Sequence, residues 1–413
     1  MASRNRIIPE QPLAAEAPSN NLRRFSVCHG NRFWKCCENM VPAAVMTGPP
    51  GPVTIFDGDE YLYFGGTSYL GLAGHPEVIK AGCDALRAHG VHTATSRSRL
   101  GTNPPLLAVE ENAARFFGTE DAFYFGSGYV GNHIMVAALA EGVDTVFVDA
   151  AAHYCVLEAA RLAGKPVQYF PHRDAEALRD AVGENSRVLV MADAVAPSSG
   201  RVAPIAEYIE ALQDCNRARI LLDDAHGFGV LGTDGRGLLD KAGRWHQANR
   251  GLRQEGVSLY VCGTLAKALG GFGGIIPGTA EFLLQLRSTS HYYDGSSAPP
   301  SPVAGASAKA LEIVMRDPTL RTRLHENSQR LRTGLQALGL EVPTGDTAHF
   351  GVTIGSAAKM MEIHRQLRQR RIMLPYVPTY TGIPAEGILR FAIFANHTSS
   401  QIDHLLTEVS RLL

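Results

Sequence analysis

Short apolar runs that each close on polar residues constrain this chain most: DAFYF (121–125), TVFVD (145–149), VLVMAD (188–193), ARILLDD (218–224) and SLYVCG (258–263). Between them lie stretches with helical spacing, such as DAEALRDAVG and PIAEYIEALQDCN. Runs this apolar must be buried on both faces. Strand, helix and strand at this rhythm give a mostly parallel sheet with helices on both sides, an α/β fold. In such folds ligands gather beyond the carboxyl ends of the strands. The polar residues that end the runs are therefore the first place to look for chemistry.

The chain has 413 residues, which suits one large domain and a smaller one. Residues 1–60 read as a polar, Pro-rich arm that ends in a short hairpin, within MTGPPGPVTIFDGDEYLYFGG. Residues 61–300 carry the α/β rhythm. From Pro302 a long helical pattern runs on through LRTRLHENSQRLRTGLQALG, followed by strand-like HFGVTIG and ILRFAIFA and a last helix, SQIDHLLTEVSRLL. Residues 301–413 are thus expected to form a small α+β domain.

Lys and Arg total 39 against 40 Asp and Glu, so the chain lacks the basic footprint of a nucleic-acid or membrane-surface binder. No apolar run is long enough to span a bilayer, and the N-terminus has no signal-peptide core. The seven cysteines are scattered, with only Cys36 and Cys37 close together. That spacing suits neither zinc nor a disulfide framework, so a reducing cytoplasm is expected. Asn396-His397-Thr398 is formally a glycosylation sequon, read here as chance.

Gly126, Gly128 and Gly131 in FGSGYVGN follow the G-x-G-x-x-G spacing, with Asp149 downstream where a dinucleotide fold carries its ribose acid. An NAD site is weakened by the chain before the loop, since that motif belongs after the first strand. It also leaves Lys267 and DDAH (223–226) without roles. DDAH matches the acidic box of helicases, but no G-x-x-x-x-G-K-[ST] loop accompanies it. Lys267 lies in GTLAKALGGFGG, among small residues that no surface lysine needs. A buried amine is costly unless it is paired or its pKa falls, and a lysine near neutrality can condense with an aldehyde. An aldehyde-trapping lysine, a phosphate loop and the strand-end Asp223 together point to pyridoxal phosphate, whose ring nitrogen needs a carboxylate to stay protonated. His153 is placed to stack on such a ring, His226 to reach its hydroxyl, and Thr264 to meet the phosphate. Each of these has a plainer reading, since an Asp after a strand is often a helix cap and a lone His a structural residue.

From about Tyr61 to the C-terminus the sequence resembles the α-oxoamine synthases, fold-type-I pyridoxal-phosphate enzymes. The resemblance is carried by YLGLAGHPEVIKA, FGSGYVGN, DAAAHYCVLEAARLAG, LLDDAHGFGVLGTDGRG, GTLAKALGGFGG and LRFAIFANHT, in that order. It implies that Lys267 holds the cofactor covalently and later moves protons, that Asp223 pairs with the pyridine nitrogen, and that His226 and His153 contact the ring. It also implies that Ser127, Gly128, Tyr129 and Thr264 hold the phosphate, and that Ser296 reaches the phosphate of a partner subunit in a homodimer. Arg390 matches the arginine that grips the amino acid's carboxylate; Ser68 and Arg97 fall in the family's substrate-binding blocks. The implied reaction joins an amino acid to an acyl thioester, on coenzyme A or a carrier protein, with loss of carbon dioxide to give an α-amino ketone. Transamination, retro-aldol cleavage and plain decarboxylation on the same scaffold are the alternatives. Three positions depart from the family pattern: Ser68 stands where Asn or Asp is usual, Pro197 where Ser is usual, and Leu106 where His is usual.

Overall fold

The structure is a computed structural model that describes residues 44–183, 186–252 and 256–413. Most of the expected N-terminal arm, with Cys36 and Cys37, lies outside the described residues.

Strands β1 (Val53–Phe56) and β2 (Asp59–Tyr63) form the expected hairpin. Asp57 and Gly58 join them at φ 53° and 86°, the left-handed pair that a two-residue hairpin turn requires. The next seven strands make the central sheet: β3 (Asp121–Phe125), β4 (Thr145–Asp149), β5 (Val167–Phe170), β6 (Arg187–Asp193), β7 (Arg217–Asp223), β8 (Gly256–Thr264) and β9 (Gly274–Gly278). Their order is β3-β9-β8-β7-β6-β4-β5, and only the pairings made by β9 are antiparallel. The five apolar runs are thus all strands. β5 and β9 had no such signal: VQYF is half-exposed at the sheet edge, and GIIPG carries a proline and two glycines.

Alternation explains the continuous apolar reading. In β7, Ile220 and Leu222 join a core layer with Phe117 and Phe228, while Leu221 faces the opposite layer with Ile134, Met135 and Phe282. Both faces are covered, so Ile220 to Leu222 read as a continuous apolar run; the buried exception is Arg219, whose guanidinium donates to the Glu141 and Leu252 carbonyls at 2.8 and 2.7 Å.

After the helices Ser301–Arg316 and Thr319–Ala337 come β10 (His349–Val352), β11 (Ile372–Met373), β12 (Tyr376–Val377) and β13 (Ile388–Ala392). β10, β13 and β12 form an antiparallel sheet, and β11 adds in parallel to β2 of the hairpin. The N-terminal hairpin therefore completes a sheet with C-terminal residues. No described helix is long and apolar enough to cross a membrane.

Two buried polar groups hold distant segments together. Arg97 donates through Nη1 and Nη2 to Glu110 Oε1 and Oε2 at 2.6 and 2.9 Å, and Nη1 also donates to the Tyr124 carbonyl at 3.3 Å. Glu110 Oε1 in turn accepts the Tyr124 N–H at 2.9 Å, tying helix Pro104–Phe117 to β3. His397, read in the sequence as part of a chance sequon, stacks on Phe64 at 4.5 Å between ring centres. Its Nε2 donates to the Tyr63 carbonyl at 3.1 Å, and its Nδ1 accepts the Phe394 N–H at 2.9 Å. Burial pushes His397 down to about 4.

Glu110→Ala strands a buried guanidinium, so it should cost about 3–5 kcal/mol in a urea melt. The His397 prediction follows from linkage. Its folded pKa lies below the unfolded value, so the unfolded chain binds more protons between them. Stability should therefore fall by roughly 3 kcal/mol as pH drops from about 6.5 to about 4. His397→Gln should flatten that part of a plot of stability against pH.

Candidate active site

The carboxyl ends of β3, β4, β6, β7 and β8 open on one cavity of about 320 Å³. Ser127, Gly128 and Tyr129 enter it from the turn after β3, and His153 from the turn after β4. Asp193 ends β6, Asp223 ends β7 with His226 just beyond, and Thr264 and Lys267 follow from β8. All the residues expected to bind cofactor line this cavity except Ser296. Ser296 is exposed and donates its hydroxyl to the Tyr292 carbonyl at 2.6 Å.

Asp223 is the best-supported acid. Its Oδ2 accepts from Asn132 Nδ2 at 2.7 Å and from the Cys155 thiol at 3.4 Å, and its Oδ1 accepts the Ala225 N–H at 3.0 Å. Asp193, the residue opposite it on β6, accepts the His153 N–H at 2.7 Å. Burial, then the charge of Asp223, pushes the Asp193 carboxyl well above its usual range. That shift favours the protonated form of Asp193. Asp224 points the other way; burial raises it to about 7, and it accepts the Leu238 N–H at 2.5 Å.

The Lys267 amine has no hydrogen-bond or ion-pair partner among the described residues, and the side chain lines the cavity, while its carbonyl accepts the Gly270 N–H at 3.1 Å. Loss of water lowers its pKa more than Asp223 and Asp193 raise it. The result is an amine that gives up its proton more easily than a surface lysine. The loop that carries it is closed by the Leu265 N–H on the Gly273 carbonyl and the Gly271 N–H on the Leu265 carbonyl, at 2.9 and 2.8 Å. Gly270, at φ +68°, lies so close to Leu72 that an added Cβ would meet its Cβ at 2.2 Å. The glycines around Lys267 thus serve close packing.

At the other end of the cavity, the helix Gly131–Leu139 begins behind the 126–131 loop. A Cβ on Gly128 would stand 2.7 Å from Thr264, so the backbone itself walls the space. Backbone N–H groups at a helix start suit a phosphate. With Asp223 and Lys267 at the opposite end, the residues present fit pyridoxal phosphate. His153 Nδ1 accepts the Cys155 N–H at 3.2 Å and lies 2.9 Å from the Cys155 sulfur, so His153 and Asp223 compete for the one thiol proton; burial, against the charge of Asp223, lowers the ring's pKa. His153 is therefore neutral with its proton on Nε2.

A second cavity of about 380 Å³ shares Thr67, His153, Pro197, His226 and Lys267 with the first. It adds Ser198, Val377, Tyr380 and Arg390. Arg390 donates to the carbonyls of Pro197 and Gly66 at 3.2 and 3.1 Å and to the Tyr69 hydroxyl at 3.2 Å. No described carboxylate lies within ion-pair distance of it. A positive charge aimed by neutral acceptors is what an incoming carboxylate needs. Pro197 contributes through its carbonyl, an acceptor that its ring does not remove.

Other expected residues lie elsewhere. Ser68 lines neither cavity; its hydroxyl accepts the Ala73 N–H at 3.4 Å, and its neighbour Thr67 faces the space instead. Arg97 is committed to Glu110. Asp149 is buried with His172, whose Nδ1 lies 2.9 Å from its Oδ1. Leu106 is fully buried in the core. Asp193, Asn132, Cys155, Tyr69, Tyr380 and His349 were missed. Asp193 ends an apolar run just as Asp223 does, and Asn132 follows the third loop glycine. Tyr380 lies in a loop with no pattern to mark it.

The family model for aminotransferase class I and II matches residues 60–409. The 8-amino-7-oxononanoate synthase 1 of Polaromonas sp. is 36% identical over 366 residues, 86% of this chain and 88% of that one. The serine palmitoyltransferase of Sphingomonas wittichii superposes with a TM-score of 0.82 at 26% identity, covering 92% of this chain and 94% of that one. A variant of that of S. paucimobilis, solved with a pyridoxal phosphate–myriocin aldimine bound, gives 0.81 at 25% identity, covering 90% of this chain and 92% of that one. The chain belongs to the aminotransferase class I and II family, and within it to the α-oxoamine synthases.

Proposed function

We propose that the chain joins an amino acid to an acyl thioester, with loss of carbon dioxide, to give an α-amino ketone. The observation that carries this reading is that the two cavities meeting at the Lys267 amine hold a buried carboxylate, Asp223, and an arginine, Arg390, and that among the described residues neither Lys267 nor Arg390 has an acidic partner. Pyridoxal phosphate, when bound, supplies an aldehyde for amines and a ring that stores the electron pair left when a bond to the α-carbon breaks.

In this reading Arg390 binds the substrate carboxylate through its two Nη groups. Lys267 Nζ, its pKa lowered, takes the α-proton; a base near neutrality does this best. Asp223, oriented by Asn132 and the Ala225 N–H, would pair with the ring nitrogen and favour its protonated form. Neutral Asp193 fixes the backbone of His153. The proton on His153 Nε2 is available to the thioester carbonyl as carbon–carbon bond formation places charge on its oxygen. Thr67, Val377 and Tyr380 line the space beside Arg390 and are the residues that would meet the amino acid's side chain.

The exposed hydroxyl of Ser296, outside its own chain's cavity, supports a homodimer with shared sites. A large domain over 61–300 and a small one over 301–413 both supply the site: Arg390 and Tyr380 come from the later segment, and Asp223 and Lys267 from the earlier one.

Lys267→Ala should abolish turnover. Borohydride reduction should leave the cofactor on the Lys267 peptide of the parent protein and on none of the variant's. Asp223→Asn should keep its fold by circular dichroism yet slow α-proton exchange by roughly 100-fold or more, the scale of a lost charge-stabilising group. Arg390→Lys should raise the amino acid KM about tenfold or more, since charge-assisted hydrogen bonds contribute about 1.5–3 kcal/mol. The reaction itself is tested by mass spectrometry of products from amino acid alone and with acyl thioester added. An amino ketone only in the second mixture supports the reading, and an aldehyde, keto acid or simple amine in the first contradicts it.

A further inference from the structure

We propose that His349 is a positioning residue that fixes which nitrogen of His226 carries the proton, acting through Tyr69. His349 opens β10 and is fully buried. Its Nε2 lies 3.1 Å from the Ala196 carbonyl, a pure acceptor, so Nε2 holds a proton. Burial, and the positive charges of Arg390, Lys267 and Arg332, hold its pKa well below the usual histidine value. His349 is therefore neutral and its Nδ1 is a bare acceptor.

Nδ1 of His349 lies 3.1 Å from the Tyr69 hydroxyl, and the two rings stack at 5.7 Å with 3° between planes. Tyr69 has one proton to give, and His349 takes it. The Tyr69 oxygen must then accept from its remaining neighbours, Arg390 Nη2 at 3.2 Å and His226 Nδ1 at 2.8 Å. The opposite assignment would give both ring protons to His349, a buried cation close to the guanidiniums of Arg390 and Arg332. His226, itself held well below its usual pKa by burial and Lys267, is thus the neutral Nδ1–H form. Its Nε2 has no hydrogen-bond partner among the described residues, and His226 lines both cavities.

The consequence for catalysis rests on the function proposed above: His226 Nε2 offers a lone pair, so the group it meets arrives as a donor. A substrate carboxylate that draws Arg390 away from Tyr69 also removes one of the two donors on the Tyr69 oxygen. Carboxylate binding and His226 are then linked through one hydroxyl.

The tautomer is a property of the protein without cofactor, so its measurement is separable from that of the reaction. The probe is ¹⁵N-histidine NMR of the cofactor-free full-length chain. The signal of an unprotonated ring nitrogen in His226 should belong to Nε2. His349→Gln supplies an amide N–H for Ala196 and an oxygen for Tyr69, and should keep that assignment. His349→Phe keeps the stack but removes the acceptor, so the Tyr69 proton passes to His226 and the unprotonated signal moves to Nδ1. A wild-type His226 with its proton on Nε2 overturns the proposal, whether or not the Phe variant folds. So does a folded His349→Phe protein whose His226 keeps the wild-type form.

Discussion

A lysine amine held out of water beside two carboxylates is the constraint around which this site is organised. Burial lowers the pKa of Lys267; Asp223 and Asp193 pull the other way, and the effect of burial is the larger. The same burial, with the neighbouring charge of Asp223, pushes the Asp193 carboxyl toward its protonated form. A central sheet with parallel β4, β6, β7 and β8 supplies the geometry. Its strands end in register, Asp193 opposite Asp223, and each end delivers one polar group to the same crevice.

Burial on this scale leaves marks in sequence, and that is why much of the fold was legible. The five apolar runs are strands because both their faces are covered. β5 and β9 were silent because one sits half-exposed at an edge and the other is rich in Gly and Pro. The strand-end residues Asp223, His226 and Lys267 could be placed in one crevice from topology alone. Asp149 obeyed the same rule and still lies apart, because His172 and the turn after β4 claim it. The rule names a sheet edge and does not say which way a side chain turns once there.

The substrate end was harder to read, for a physical reason: its contacts run through backbone carbonyls and long-range hydroxyls. Pro197 looked like a lost donor, yet its carbonyl helps hold Arg390. Ser68 looked like a shortened ligand, yet Thr67 faces the space. Arg97 looked like part of a binding block, yet it is a buried strut for Glu110. Tyr69, His226, His349 and Arg390 come from four separate stretches and meet only in the folded chain, so no spacing along the sequence announces them.

The central claim is that Lys267 is the amine that takes the cofactor's aldehyde. The most direct measurement is an absorbance titration of cofactor-free protein with pyridoxal phosphate, run beside Lys267→Ala. The account predicts a visible band that saturates at one equivalent per chain in the parent protein and is absent from the variant. A protein that stays colourless, or a band of equal strength in the variant, would contradict it.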